Sequence, residues 1–531
     1  MRSGRNDESL EEVDLALKLN SNDPVSHYIK GKVLTAGRRY KEASTELEEA
    51  INIDPTKPEY HADLASVLLN LSRYDDSLKE YDLAISSGDR SEYHIGKSHV
   101  LNAMKRYDDA IDECDKAISM DPKNPEYYAE KAVVYSDMQD FEHALETIDK
   151  AIEINPRKAA LKVQKGNILV AKKDFGTAIR IFDQAILGNP SNAEYHSYKA
   201  QALAQVPKYQ DAIKECNEAI RLDPKNPEFH FIKGNILYSM GRPDDASKEY
   251  QEAVSLRPND PIYHYNIGRV LQEREKYTEA LVEFQSALKI NPDDPDIIWR
   301  IGSILEKQKN LKDALSRYHS AIKLAPENPL YRLSAGRILF LQSKFKDAEG
   351  ELKEAIKLNP KSEESHYFLA RCYQELGSIF DALDEYRKCN EINPKNIEYT
   401  TKIFQIMREM NRLEESIKWS DATLAIDPSN VDAILNKGVI LTIQGKYPQA
   451  LDIAKQLVKM RDTPEIHEFL GNVLFQLGKL EEAGNEFRSV VAKDPENASA
   501  HKKLASILLN SGDFDSSLNE YNTVLKLLPT I

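Results

Sequence analysis

A fixed spacing of prolines is the feature that most constrains the fold of this chain. Ten prolines of the 531-residue sequence follow one another at intervals of 34 residues. They are Pro122, Pro156, Pro190, Pro224, Pro258, Pro292, Pro326, Pro360, Pro394 and Pro428. Because a unit of this size cannot bury its apolar face alone, such a chain folds as a stack of similar units packed on their neighbours. A stack presents long repetitive surfaces rather than one deep pocket, which favours binding over catalysis.

Each repeat begins with the signals of a helix start. In the fourth repeat Asn124 can cap a helix whose first residue is Pro125, and Glu126 places an anion in the first turn; all three stabilise a helix N-terminus. We number repeat positions from this proline, so that Pro125 is position 1 and Lys158 is position 34. Helix A is predicted from position 1. A polar break near positions 15 and 16 ends it, and helix B follows up to the proline near position 32.

Small residues recur where two helices would cross. Position 8, in helix A, is Gly in eight repeats and Ala in five, and position 20, in helix B, is Ala in twelve. Position 24 is often aromatic, as in Phe182, Tyr250 and Tyr318. Since spacings of three and four residues fall on one face of a helix, these positions predict the core. They also predict that helices A and B approach closely at position 8.

This pattern of small and aromatic positions at a 34-residue period resembles the tetratricopeptide repeat. The resemblance covers about fifteen repeats and implies an all-α fold, a right-handed α-solenoid (superhelix) of helix-turn-helix repeats. Residues 1–23 are predicted to form an N-terminal tail and an orphan helix, and residues 24–531 a continuous array. The repeat at 397–429 is degenerate, because Phe404, Ser416 and Thr423 replace the usual small residues. We expect a local bend there, or a second contact surface around its Trp419.

Composition restricts the partners. The net charge is -15 and the pI is near 5.5, which argues against nucleic acid and anionic membranes because such binding starts from clustered positive charge. No stretch approaches the ~18 consecutive apolar residues of a membrane span, and Met1 to Glu12 contain no apolar run. We therefore expect a cytoplasmic protein. Four cysteines do not make a disulfide framework.

Nine of the twelve histidines share position 4 of helix A. They are His27, His61, His94, His196, His230, His264, His366, His467 and His501. Successive repeats are separated by a helix pair, roughly 10 Å, whereas the ligands of one zinc ion lie within about 2 Å of it, so no metal site is predicted. We expect these histidines to be buried neutral, with a lowered pKa. A Glu recurs at position 23 in ten repeats, and the sequence alone suggests a solvated face of helix B.

Positions 5, 9 and 12 of helix A form a second stripe, which in the resembled family lines the concave groove that holds partner segments. In repeats seven to eleven these positions become aromatic and cationic, and Arg and large aromatics are the residues that most often anchor interfaces. The candidate groove residues are Phe231, Asn235, Tyr238, Tyr265, Arg269, Trp299, Arg337, Phe340, Tyr367 and Arg371. They predict an extended peptide or a helical segment with acidic and apolar residues as the ligand.

Known enzyme motifs do not accompany the repeats. The sequence has no G-x-x-x-x-G-K-[ST] phosphate loop, no H-E-x-x-H and no paired C-x-x-C, so no catalytic residue and no cofactor is predicted. We interpret the chain as a non-enzymatic scaffold or adaptor whose partners are other proteins. Two alternatives stay open: a regulatory or substrate-recruiting arm for a separately encoded enzyme such as a glycosyltransferase, and a homotypic assembly protein. The apolar run from Val524 to Pro529 predicts a C-terminal end that self-associates or is covered by a partner.

Overall fold

The computed structural model of the chain describes residues 2–528, with side chains from residue 9 onward. Within that range the chain forms α-helices and no strand. Helix α1 (Arg2–Leu19) precedes the first repeat, and each repeat contributes one A helix and one B helix. The A helices are α2 (Pro24–Ala36), α4 (Pro58–Asn70), α6 (Ser91–Ala103), α8 (Pro125–Asp137), α10 (Ala159–Ala171), α12 (Ala193–Gln205), α14 (Pro227–Ser239), α16 (Pro261–Glu273), α18 (Pro295–Lys307), α20 (Pro329–Leu341), α22 (Glu363–Glu375), α24 (Ile397–Glu409), α26 (Val431–Ile443), α28 (Pro464–Gln476) and α30 (Ala498–Asn510). The B helices are α3 (Tyr40–Ile53), α5 (Tyr74–Ser87), α7 (Tyr107–Met120), α9 (Phe141–Ile154), α11 (Phe175–Gly188), α13 (Tyr209–Leu222), α15 (Pro243–Leu256), α17 (Tyr277–Ile290), α19 (Leu311–Leu324), α21 (Phe345–Leu358), α23 (Ile379–Ile392), α25 (Leu413–Ile426), α27 (Tyr447–Met460), α29 (Leu480–Lys493) and α31 (Phe514–Leu527).

The chain divides into two compact units, the first ending at Glu283 and the second beginning at Phe284. Within each unit an A helix packs on the B helix that follows it, as α14 on α15 and α20 on α21, and that B helix packs on the next A helix. The predicted all-α solenoid of helix-turn-helix repeats is therefore confirmed. The predicted domain bounds, 1–23 and 24–531, stay a prediction, and residues 1 and 529–531 lie outside the described residues.

Asparagine and aspartate side chains begin the A helices as the sequence predicts. Asn226 accepts a hydrogen bond from the backbone N–H of Glu228 (3.1 Å), and Asn328 accepts one from Leu330 (3.0 Å). Pro227 then occupies the first turn of its helix, where the N–H that proline lacks would have had no intrahelical partner. In the A helices that have both, the cap and the proline together fix where the helix starts.

A residue with positive φ ends each A helix. Position 15 has this conformation throughout the fifteen described repeats, with glycine in five of them and another residue in ten. In the fifth repeat the N–H of Lys173 donates to the Val170 carbonyl (2.9 Å) and the N–H of Asp174 to the Leu169 carbonyl (2.8 Å). These are the paired bonds of a Schellman motif. The turn between helices A and B is thus set by backbone hydrogen bonds that glycine favours but does not supply alone.

Positions 8 and 24 pack directly on each other within a repeat. A Cβ atom at Gly302 would lie 2.7 Å from the ring of Tyr318, and one at Gly336 would lie 2.7 Å from the side chain of Leu352. Tyr318 and Leu352 are both fully buried. Because these partners fill the space that a Cβ would need, the close approach predicted at position 8 is confirmed.

The cysteines and the helix hydropathy bear on chemistry and location. All four cysteines are buried free thiols. Burial raises the pKa of the Cys114 thiol to about 11 and that of the Cys389 thiol to about 12, so both stay protonated at neutral pH. Over residues 2–528, every helix is too short or too polar to cross a membrane.

Candidate functional site

Positions 5, 9 and 12 of the A helices form a surface that we call the A-helix face. All ten candidate groove residues lie on it: nine are half-buried and Phe340 is buried. The structure distributes them over both units. Those of the first unit are Phe231, Asn235, Tyr238, Tyr265 and Arg269, and those of the second are Trp299, Arg337, Phe340, Tyr367 and Arg371.

In the first unit Phe231 and Asn235 are tied to the aromatic core. The ring centroid of Phe231 lies 5.8 Å from that of Tyr250 and 5.3 Å from that of Tyr263. The hydroxyl of Tyr250 donates to Asn235 Oδ1 (2.8 Å). Burial, the largest cause, raises the pKa of Tyr250 to about 12, so this hydroxyl stays a donor. The bond fixes the Asn235 amide with its NH2 group turned away from Tyr250.

The neighbour of each position 9 arginine is the residue at position 12 of the preceding repeat. The guanidinium carbon of Arg269 lies 4.3 Å from the ring centroid of Tyr238. That of Arg371 lies 4.5 Å from the ring centroid of Phe340. Arg337 differs, because its Nη2 atom lies 3.0 Å from the carboxylate of Glu306. Position 12 therefore decides whether the next arginine is stacked or neutralised.

Arg337 is neutralised within the second unit. Its Nη2 donates to Glu306 (3.0 Å) and its Nη1 to Glu364 (2.9 Å), and Glu306 also accepts a hydrogen bond from the hydroxyl of Tyr318 (2.7 Å). Burial by itself would lower the pKa of Arg337, but the hydrogen bond and charge of Glu306, followed by those of Glu364, raise it overall. A ligand carboxylate would have to compete with two carboxylates already in place.

Arg371 is held differently. Its guanidinium carbon lies 4.5 Å from the ring centroid of Phe340 and 5.7 Å from that of Tyr367, which is cation–π geometry. Of the ion pairs formed among residues 9–528, none includes Arg371. The Tyr367 ring is itself fixed, because its hydroxyl donates to Glu398 (2.6 Å). Arg371 therefore presents a positioned cation whose charge is not paired within the chain.

Trp299 is anchored at its polar end. Its Nε1–H donates to Ser334 Oγ (2.9 Å), and the Ser334 hydroxyl donates in turn to the Leu330 carbonyl (2.8 Å). The indole is half-buried, with its ring centroid 6.3 Å from that of Tyr331. The indole N–H is thus already used within the chain, so Trp299 can offer a ligand its ring surface.

A network that the sequence interpretation missed joins positions 4 and 23. In eight repeats the Nδ1 atom of the position 4 histidine lies 2.5 to 2.8 Å from the position 23 carboxylate of the same repeat, and His501 makes the same contact with Glu520. None of the recurring position 23 glutamates is exposed, so the predicted solvated face is wrong at this position. The sequence did contain a signal for this network, because each repeat with His at position 4 also has Glu at position 23, nineteen residues later.

The second ring nitrogen also faces an acceptor in most of these histidines. The Nε2 atom of His264 lies 3.1 Å from the Pro258 carbonyl oxygen, and that of His366 lies 3.1 Å from the Pro360 carbonyl oxygen. The contacts tie helix A both to the following helix B and to the preceding loop, so the histidine stabilises the joint between repeats.

Lysines at position 7 extend this network across the repeat boundary. Lys199 Nζ lies 2.6 Å from Glu215 of its own repeat and 2.7 Å from Asp183 of the preceding B helix. Hydrogen bonds to these two carboxylates raise the pKa of Lys199, although burial, the largest single cause, acts to lower it. The position 23 glutamate is therefore shared by a histidine and a lysine.

His467 reverses the predicted direction of the histidine pKa. Burial acts to lower the pKa of His467, but hydrogen bonds to Glu486 (2.6 Å) and Asp462 (2.5 Å) outweigh it and raise the pKa above the ordinary value. The expectation of a buried neutral imidazole is wrong for this residue because it took account of burial and not of the carboxylate partners.

In the twelfth repeat the large residue is at position 8 and the small one at position 24, the reverse of most other repeats. Phe404 at position 8 is buried, and position 24 is Ser420, which is fully buried, where most repeats have a large side chain. The Asn436 amide donates to Ser416 Oγ and to Ser420 Oγ, both at 2.8 Å. The predicted local bend rested on Phe404 replacing a small residue, and the small side chain of Ser420 at position 24 offsets that added volume. The bend itself stays a prediction. Trp419 is half-buried against the apolar cluster around it rather than standing out from α25.

Over the described part of the chain, no group of three or more His, Cys, Asp and Glu side chains is arranged to hold a metal ion. The carboxylates around the position 4 histidines are instead paired with imidazole and ammonium groups, as in the contacts of Lys199.

Comparison with known proteins supports the repeat assignment. Family models described as TPR repeat match residues 234–273, 268–309 and 471–512, and models described as tetratricopeptide repeat match 62–125, 101–164 and 163–227. The model described as anaphase-promoting complex, cyclosome, subunit 3 matches residues 307–389. The curated relative is the TPR repeat-containing protein MJ1428 of Methanocaldococcus jannaschii, 23% identical over 106 residues. That match covers 20% of this chain and 19% of the relative, so it spans about a fifth of each.

Two solved structures match this chain with low TM-scores. The anaphase-promoting complex hetero-tetramer Cut9-Hcn1 is 13% identical with a TM-score of 0.38, over 83% of this chain and 94% of that chain. YrrB, described as a TPR protein with an unusual peptide-binding site, is 24% identical with a TM-score of 0.30, over 35% of this chain and 96% of that chain. The family matches along the sequence, together with the stacked helix pairs, show that the chain belongs to the tetratricopeptide repeat family, with an extended array.

Proposed function

We propose that this chain is a non-enzymatic scaffold that binds segments of partner proteins on the A-helix face of its second unit. The observation that carries the proposal is Arg371. It is held between the rings of Phe340 and Tyr367, at 4.5 and 5.7 Å from their centroids, and its charge is not paired within the described chain. An interface arginine that is already positioned loses little side-chain entropy when it binds.

The ligand that fits this surface carries acidic and apolar residues. A carboxylate can form paired hydrogen bonds with the guanidinium of Arg371. Further along the same unit, positions 5, 9 and 12 hold the half-buried apolar side chains of Leu435, Val439 and Phe475. These offer contact to apolar ligand residues, because each is only partly covered by the chain. Arg337 would contribute less to ligand binding, because Glu306 and Glu364 already bind its guanidinium.

The test compares two arginines at the same repeat position. Fluorescence anisotropy would measure the binding of labelled 15-residue peptides that mix Glu and Leu, with peptides in which Lys replaces Glu as the charge control. We expect Arg371→Gln to weaken binding of the acidic peptides at least tenfold, the loss of a central anchor being about 2 kcal/mol or more. Arg337→Gln should weaken it less than threefold. Equal effects of the two substitutions, or tighter binding of the Lys peptides, would contradict the proposal.

Self-association is a second candidate function, favoured by the surface of α31. Phe514, Leu518 and Leu525 are 67%, 61% and 59% exposed, and their spacing places them on one side of the helix. A second copy of the chain could bury this stripe. Light scattering over a concentration series would show a larger particle for the natural chain than for the variant Leu518→Glu, Leu525→Glu. A monomer at every concentration would exclude this candidate.

A further inference from the structure

We propose that the first unit carries a separate site for uncharged amide groups, in a cavity where α12, α13 and α14 meet. The cavity has a volume of about 470 Å³, within the range of about 300–1,000 Å³ typical of small-ligand sites. Its lining consists of Gln201, Ala204, Gln205, Pro207, Tyr209, Ile232, Asn235, Ile236 and Ser239. This site is distinct from the surface around Arg371, so the two proposals can fail independently.

The lining is distinguished by what its side chains have in common. Charged residues make up 30% of the chain, yet none of the lining residues is Asp, Glu, Lys, Arg or His. Three of them, Gln201, Gln205 and Asn235, carry carboxamides, which both donate and accept hydrogen bonds. A charged ligand would lose its hydration without gaining an opposite charge in such a cavity. The chemistry therefore selects a neutral, hydrogen-bonding ligand.

Two side chains in the cavity have their hydrogen-bonding roles fixed by the fold. Asn235 Oδ1 accepts from the Tyr250 hydroxyl (2.8 Å), which leaves the NH2 group of Asn235 as the donor toward a ligand. The hydroxyl of Ser239 donates to the Asn235 backbone carbonyl (3.0 Å), which leaves its oxygen as an acceptor. The site thus offers one directed donor and one directed acceptor.

A carboxamide group matches this arrangement. Its N–H can donate to the hydroxyl oxygen of Ser239, and its oxygen can accept from Asn235, while Ile232 and Ile236 provide an apolar wall for the attached carbon chain. Two sources supply that group in a partner protein: the main-chain peptide unit and the side chain of Asn or Gln. The ligand class is therefore an uncharged peptide segment that binds through an amide.

Saturation-transfer NMR on the whole chain can separate these sources with three probes. They are N-acetyl-glutamine N-methylamide, N-acetyl-alanine N-methylamide and N-acetyl-glutamate N-methylamide. Equal transfer to the Ala and Gln probes would assign the site to the main chain, and transfer to the Gln probe alone would assign it to the side-chain carboxamide. The Glu probe, which is charged, should receive at least threefold less transfer than the Gln probe.

Two substitutions test the site by different routes. Asn235→Leu removes the directed donor, and Ser239→Ala removes the directed acceptor. We expect transfer to the Gln probe to fall at least threefold in the first variant and at least twofold in the second. Asn167→Leu, which changes the exposed asparagine at the same repeat position in α10, is the matched control and should leave it unchanged.

The results decide the proposal in either direction. If circular dichroism shows that Asn235→Leu loses helicity, the Ser239→Ala variant decides alone, because it removes a single oxygen atom from the cavity. Unchanged transfer in the folded variants would overturn the proposal. So would transfer to the Glu probe equal to that of the Gln probe, since it would show that the cavity does not select against charge.

Discussion

The twelfth and fourteenth repeats, both in the second unit, build the same joint from opposite parts. In the fourteenth repeat position 8 is Gly471 and position 24 is the fully buried Phe487, whose ring lies 3.1 Å from where a Cβ of Gly471 would be. In the twelfth, Phe404 is the large residue and Ser420 the small one. The large side chain of this joint can therefore come from either helix, because protein interiors are packed to near-crystal density and the space has to be filled.

The two repeats also differ in how they treat position 4. His467 in the fourteenth repeat bonds to the Glu486 carboxylate, whereas the twelfth has Thr400, whose hydroxyl oxygen accepts from the Thr423 hydroxyl (2.8 Å). A charged, pH-dependent link is thus replaced by a neutral one. Substitutions at three places can test how the two repeats differ. These places are the exchanged large and small residues of positions 8 and 24, the position 4 histidine, and the turn after helix A.

The largest effect should come from emptying the exchanged volume in the twelfth repeat. Phe404→Ala removes a buried ring, and such changes typically cost about 3–5 kcal/mol of the free energy of unfolding. Adding Ser420→Tyr recreates the pairing of Ala370 with Tyr386 found in the preceding repeat. We expect the double variant to recover about 1–3 kcal/mol, within the range of coupling energies between residues in contact. Urea denaturation of the whole chain measures each step.

The control for this experiment is Ser420→Tyr alone. It should destabilise the chain, because Phe404 already fills the space and Asn436 would lose one of its two hydroxyl acceptors. If the double variant were as unstable as the sum of the two single variants, the volume exchange would have no energetic basis.

The second effect concerns the glycine of the fourteenth repeat. A Cβ at Gly471 would contact Phe487 at 3.1 to 3.3 Å, and a fully buried ring has little room to move. Gly471→Ala should therefore cost about 1–3 kcal/mol, as overpacked core positions do. Gly484→Ala, in the next helix, is the matched control: its new Cβ would meet its nearest neighbour at 3.5 Å, and alanine favours a helix by up to about 1 kcal/mol. Stabilisation by both substitutions would show that position 8 does not require glycine.

How far the sequence predicts this molecule depends on whether a feature repeats. The helix pairs, their caps and the close approach at position 8 follow from residues that recur at fixed positions, and the structure confirms them. The volume exchange was missed because Phe404 was judged alone, without its partner sixteen residues later. The carboxylates that the position 4 histidines contact were assigned to solvent. A contact between helices depends on how they pack, and hydropathy at one position does not report it.

The candidate surface was predictable in composition and less so in detail. Position 9 was singled out for its arginines, but the surroundings of those arginines differ: Glu306 and Glu364 bind Arg337, whereas aromatic rings flank Arg371. The position 12 neighbour that decides this lies one repeat earlier, a register that becomes clear only when the repeats are stacked. Whether these residues bind a ligand stays a prediction.

The third effect is a pH dependence that should distinguish the two repeats. The pKa of His467 is raised by Glu486 and Asp462, so its contribution to stability is fully present below the unfolded value of about 6.5 and is lost as pH rises through the folded value. We expect the natural chain to gain stability relative to His467→Gln on going from pH 8 to pH 5.5. The gain should be less than about 1 kcal/mol, as for other partly exposed ion pairs. A relative loss at pH 5.5 would restore the original expectation of a buried neutral imidazole.

The smallest effect should be at the turn after helix A. Asn411 in the twelfth repeat and Gly478 in the fourteenth both have positive φ, 57° and 74°, a conformation that glycine adopts freely and asparagine tolerates better than other residues. Exchanging them, as Asn411→Gly or as Gly478→Asn, should change the free energy of unfolding by no more than about 0.5 kcal/mol. Urea midpoints of the two variants check this. A change above about 1 kcal/mol in either would mean that the turn side chain has a packing role, and the twelfth repeat would then differ from the fourteenth in its turn as well as in its joint.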